Sequence, residues 1–96
     1  MTVMHSAKQK QNSLILYRRR MGFTQRQVAR LLGRRDASMV SHYEHSRAMP
    51  PLLVALKLEI IYRTPVAFLF PAMYDDLKLD IRNKEAALLP AQSPLF

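Results

Sequence analysis

The chain of 96 residues contains no cysteine. Disulfides, thiolate metal sites and cysteine nucleophiles are thereby excluded, and the composition suits a reducing cytosol. Two glycines are present, too few for a glycine-rich phosphate-binding loop, and each sits where a helix would end. No apolar run is long enough to span a bilayer. The opening "MTVMHSAKQKQNS" does not resemble a signal peptide, because no apolar stretch follows its early positive charges. A cytoplasmic protein without membrane attachment is expected. Acids are scarce in one half of the chain. Residues 1–47 hold Asp36 and Glu44 against ten Lys or Arg, whereas residues 48–96 hold five of each sign. The excess positive charge, +8 overall, therefore belongs to the first half. Such a face attracts polyanions, nucleic acid foremost and an anionic membrane surface next, and the plainer alternative is a merely solubilising cationic surface.

What is present reads as helix after helix, in one domain with a single core, without strand alternation, internal repeat or interdomain linker. Residues 1–13 are expected to form a flexible N-terminal segment. Leu14, Ile15, Tyr17, Arg18 and Met21 then recur at helical spacing, and Gly22 supplies a left-handed stop. Thr24, followed three residues later by Gln27, forms a capping-box pattern that opens a second helix whose inward stripe is Val28, Ala29, Leu31 and Leu32. Gly33 closes it. Asp36 is the N-cap candidate for a third helix, in which Val40, Tyr43 and Glu44 share one side and Ser38, His42 and His45 another. "RAMPP" must be a loop. Leu52 to Tyr62 is apolar almost all round and needs cover on more than one side. Thr64 is expected to cap a short helix with Pro65 at its first position and "VAFLF" packed inward. After Pro71, Met73, Leu77, Ile81 and Leu88 mark an amphipathic helix whose first turn is expected to carry Asp75 and Asp76, and "PAQSPLF" reads as an irregular tail.

Two short helices joined by a turn containing Gly, the second with an outward polar face, are the parts of a helix-turn-helix. An α-helix fits the major groove, where base edges are distinguishable. Over residues 14–70 the segments "YRRRMGFTQRQVARLLG" and "VSHYEHSRAMPPLLVALKLEIIYRTPVAFLF" resemble the Cro/C1-type (XRE-family) helix-turn-helix domain of phage repressors and related bacterial regulators. The resemblance lies in the order and spacing of Gly22, Thr24-Gln25, Ala29, Gly33 and Val40-Ser41-x-Tyr43-Glu44. It implies an all-α, five-helix lambda repressor-like domain, here with an additional C-terminal helix, whose third helix, about Ala37 to His45, is the recognition helix. It also implies a phosphate contact from Gln25, bases facing Ala37, Ser38 and His42, and an ion pair between Arg18 and Glu44. One departure is that the interval from Gly33 to Glu44 is a residue longer than the commonest family spacing. That places a bulge in "RRDAS" and leaves the register of base contacts open.

The candidate base-contacting set is Ala37, Ser38, Met39, Ser41 and His42. The candidate phosphate-contacting set is Gln25, Arg26, Arg34, Arg35, His45 and Arg47. Each has a plainer reading: Ser38 and His42 as a solvated helix face, Met39 as a gap filler, Arg26 and Arg30 as solvent charges. His42 and His45 at i, i+3 have metal-ligand spacing, but no third ligand lies nearby in sequence, so neither metal nor cofactor is expected. Asp75, Asp76, Asp80 and Glu85 have no His positioned as a base partner, so an enzyme is not expected. The expected partner is double-stranded DNA. A homodimer reading a near-palindromic operator is the expected solution, with its contact on the apolar surplus of Leu52 to Tyr62 and the helix after Pro71. The alternative is that the last helix folds back over its own core. A competing class is an antitoxin or adaptor whose segment 71–96 captures a partner protein.

Overall fold

In a computed structural model of the protein, residues 11–88 are described. Six helices follow in order among them, with no strand: α1 (Leu14–Met21), α2 (Gln25–Leu31), α3 (Ser38–Glu44), α4 (Leu52–Tyr62), α5 (Val66–Leu69) and α6 (Pro71–Leu88). The expected tail and most of the expected flexible segment lie outside the described residues. The last two residues of that segment are anchored. Asn12 Nδ2 donates to the Tyr43 carbonyl at 2.8 Å, Asn12 Oδ1 accepts from the Leu14 N–H at 3.0 Å, and the Ser13 N–H bonds the Leu69 carbonyl.

The helices start and stop where local chemistry dictates. Gly22 at φ +78° ends α1, its N–H bonding the Arg19 carbonyl while the Phe23 N–H bonds the Arg18 carbonyl; this paired closure satisfies two orphan carbonyls. Thr24 and Gln27 form the reciprocal capping box of α2. Two expectations at helix starts are corrected. Thr64 does not cap α5: its hydroxyl donates to the Tyr62 carbonyl, and the Val66 N–H is capped instead by Glu59 Oε1 at 3.1 Å. Because α6 begins at Pro71, Asp75 and Asp76 fall beyond its first turn, away from the strongest part of the helix dipole.

A single core of Leu14, Val28, Ala29, Leu32, Val40, Tyr43, Leu58, Tyr62 and Leu69 draws on the first five helices. Leu31, expected inward, is exposed, as is Phe68. On α4 the buried side is Leu58 and Tyr62, whereas Leu52, Leu53, Leu56 and Ile60 face outward. α6 contributes nothing to the buried core, and every residue from Tyr74 to Leu88 is exposed. The alternative in which this helix folds back over its own core is therefore not the arrangement found. Leu77, Ile81 and Leu88 are 59, 49 and 78 % exposed.

Candidate nucleic-acid interface

The pair α2–α3 is held from beneath by one carboxylate. Glu44 turns inward from α3, its side chain 1 % exposed, and a charge so placed must be matched by donors. Arg18 of α1 supplies two, Nε to Oε2 at 2.6 Å and Nη2 to Oε1 at 3.2 Å, and Gln25 at the start of α2 adds Nε2 to Oε1 at 2.9 Å. Arg18 also donates through Nη1 to the Phe23 carbonyl. The hydrogen bond to Glu44 holds the Arg18 proton more tightly than usual, against an opposing cost of burial. Burial and the nearby Glu44 charge raise the Tyr62 phenol well above its ordinary value, so it stays neutral. Three helices are thus tied at one point, which fixes the attitude of α3.

The turn between α2 and α3 begins with Gly33 at φ +84°. The Gly33 and Arg34 N–H groups close back onto the Arg30 and Ala29 carbonyls. α3 begins at Ser38, one residue later than the expected start near Ala37, yet its first donor is met from the expected residue. The Ser38 N–H bonds Asp36 Oδ1 at 2.9 Å, and the Ser38 hydroxyl donates to the same oxygen. These two bonds, the hydroxyl's foremost, hold the Asp36 carboxyl below the usual carboxylate range. A depressed carboxylate contributes its stability above the ordinary range and loses it only as pH falls through the lowered value, so the contact is intact at neutral pH. An open cleft beside it is lined by Arg18, Phe23, Thr24, Gln25, Arg26, Asp36 and Ala37.

The inward side of α3 is Val40, Tyr43 and Glu44; Ser38, Ser41, His42 and His45 lie on the other. Ala37 and Met39, expected among the base contacts, are half-buried and pack against the core. His45 Nδ1 lies 2.9 Å from the Ser41 carbonyl, an acceptor only, so this nitrogen carries the hydrogen. Arg26, Arg34, Arg35 and Arg47 are all exposed. Around α1 the three arginines diverge: Arg18 goes to Glu44, Arg20 lies over the Tyr17 ring at 5.2 Å, and Arg19 is exposed.

Compared with known families, residues 14–69 match a family model described as helix-turn-helix. The chain belongs to the helix-turn-helix family, in its Cro/C1 (XRE) form. Comparison with curated proteins and with solved structures finds no match. As a helix-turn-helix protein it is a DNA-binding regulator. Among the described residues no group of three His, Asp or Glu is placed to hold a metal ion, and no helix is long and apolar enough to cross a membrane.

Two contacts of the helix-turn-helix pair had no signal in the sequence. Asn12 meets the last turn of α3 from outside the motif, and Gln25 spends one amide hydrogen on Glu44. The second amide hydrogen of Gln25 is the one a phosphate contact would use. The Asp36–Ser38 contact was half visible, since Asp36 read as a cap, but the hydroxyl bond follows only from the rotamer.

Proposed function

We propose that this protein is a sequence-specific transcriptional repressor that covers a near-palindromic operator as a homodimer in the cytoplasm, placing α3 in the major groove. The observation that carries the reading is the polar row of exposed Ser38 and half-buried Ser41 and His42, on the side of α3 away from Val40, Tyr43 and Glu44, with the helix braced from beneath by Arg18 and Glu44. Such a row meets base edges with hydrogen-bonding groups while its attitude is fixed. Exposed Arg26, Arg34, Arg35 and Arg47, with Gln25 and His45, surround that row in sequence and supply phosphate contacts, which carry most of the affinity and its salt dependence. Selection of bound sites from random duplexes tests the assignment. His42→Ala is expected to cost on the order of 1–3 kcal/mol and relax one base pair per half-site. Arg34→Ala should weaken all sequences alike and lower the salt slope by roughly one. Uniform weakening by His42→Ala would remove His42 from base reading.

The second half of the reading is the dimer. Exposed apolar side chains stand on α4, at Leu52, Leu53, Leu56 and Ile60, and on α6, where Tyr74 and Leu77 line a groove with Met49, Pro50, Ala55, Val66, Phe70 and Met73. Segment 71–96 is the dimerisation element in this reading, and 14–70 the DNA-binding unit. The same exposed α6 also favours a second reading, an antitoxin or adaptor in which that helix captures a different protein. Purified alone, the first gives a symmetric dimer that shifts operator DNA. The second gives a monomer whose C-terminal segment is protease-sensitive until a co-purifying partner covers it.

A further inference from the structure

We propose that Ser38 reads its base as a hydrogen-bond acceptor only, so that the base it meets must be one that carries an exocyclic amino group in the major groove, adenine or cytosine and not guanine or thymine, and that Asp36 sets this polarity. The inference rests on the DNA-binding reading above and concerns what that site selects.

A serine hydroxyl has one hydrogen and two lone pairs, and when free it bonds to base donors and acceptors alike. Here the hydrogen is committed. The Ser38 hydroxyl donates to Asp36 Oδ1, the oxygen that also accepts the Ser38 backbone N–H at 2.9 Å. A bond to an ionised carboxylate is roughly twice as strong as one between neutral groups. Turning the hydroxyl towards guanine O6 or N7 therefore means giving up a charge-assisted bond for a neutral one. What remains on Ser38 Oγ are lone pairs, and the groove donors able to meet them are the amino groups of adenine and cytosine.

Asp36 acts a second way, through its charge. Of the two acids in residues 1–47, Glu44 is buried and clasped by Arg18, whereas Asp36 is exposed at the start of α3. A carboxylate there repels the acceptor atoms of a guanine edge, and it repels phosphates whatever the sequence. Discrimination against wrong edges thus comes with a lower affinity for arbitrary DNA.

Site selection with the wild-type protein and with Ser38→Ala locates the base pair that Ser38 reads, as the position whose preference the substitution erases. Duplexes are then made with single groups deleted at that pair: purine for adenine or 2-pyrimidinone for cytosine, each lacking the amino group, and a 7-deazapurine lacking N7. The wild type is expected to lose on the order of tenfold in affinity when the amino group is removed, and nothing when N7 is removed. Ser38→Ala should be indifferent to both, which controls for weakened base pairing. Asp36→Asn keeps the accepting oxygen but not its charge; it should keep only part of the amino-group dependence while binding all sequences more tightly. Asp36→Ala frees the hydroxyl and should lose that dependence. The inference is overturned if N7 deletion is what costs the wild type, if Ser38→Ala erases no position, or if Asp36→Ala retains full amino-group dependence. A wild type that enriches no duplex at all would instead refute the DNA-binding reading beneath it.

Discussion

Glu44 is the residue on which most of this molecule turns. Moving a carboxylate out of water is costly, and it is tolerated here because three hydrogens converge on its two oxygens, two from Arg18 and one from Gln25. The pair is weak as a source of net stability but strong as a constraint, since either partner alone is worse than neither. Arg18→Met should therefore cost about 3–5 kcal/mol in urea denaturation, because it strands a buried charge with only Gln25 beside it. The double substitution Arg18→Met with Glu44→Leu should recover most of that loss. A cost below about 1 kcal/mol for the single change would mean that Glu44 swings out to water, as an exposed pair could. The inward set of α3, Val40, Tyr43 and Glu44, was legible from helical spacing alone, because the period fixes which side chains share a side. That Gln25 would join Glu44 was not legible. A side-chain amide reaching across nineteen positions of sequence is set by tertiary packing, and periodicity carries no trace of it. Met39 stands between exposed Ser38 and buried Val40, and its half-buried packing against the core is likewise set by tertiary contacts.

At the scale of elements, the boundaries that sequence reading located are those written in residues with few options. Gly22 and Gly33 adopt positive φ, Pro50 and Pro51 cannot continue a helix, and Thr24 with Gln27 closes a capping box. α3 and α4 end with the same paired closure but without glycine. Ser46 at φ +58° follows α3, where the Ser46 and Arg47 N–H groups return to Tyr43 and His42; Arg63 at φ +52° follows α4. Left-handed backbone at a residue with a Cβ costs on the order of 1–2 kcal/mol, which the extra freedom of an unfolded glycine offsets by roughly 0.5–1. Exposed Arg63 is thus a correctable strain. Arg63→Gly should stabilise the fold by a few tenths to about 1 kcal/mol and raise the thermal midpoint. No change, or a loss, would mean that the Arg63 side chain contributes more than its backbone strain. The short α3, seven residues, would not persist alone. Asp36 holds its first turn and Asn12 its last, and the second support comes from a residue that sequence reading had assigned to a flexible arm.

Across the whole molecule two asymmetries coincide. Positive charge is concentrated in residues 1–47 and unspent apolar surface in α4 and α6, so the part that meets a polyanion and the part that needs cover are different. A domain this small reads few base pairs, and doubling the footprint through a second copy uses both surfaces at once. Specific interfaces bury about 800 Å² per partner, so the exposed apolar side chains of α4 and those of α6 both count towards such a contact. Leu77→Glu with Ile81→Glu puts two charges on that surface without touching the core, since both side chains are exposed in the single chain. Sedimentation should show the double variant as a monomer whose helical content and thermal midpoint match those of the wild type at concentrations below the wild-type dimer dissociation constant. Its affinity for an isolated half-site should be unchanged, because α3 and its brace are intact, while the advantage of a full palindrome over that half-site should vanish. If the wild type is itself monomeric and prefers a full site no more than a half-site, α6 serves something other than a second copy. Retained dimerisation in the double variant would instead place the contact on α4 alone, through Leu52, Leu56 and Ile60.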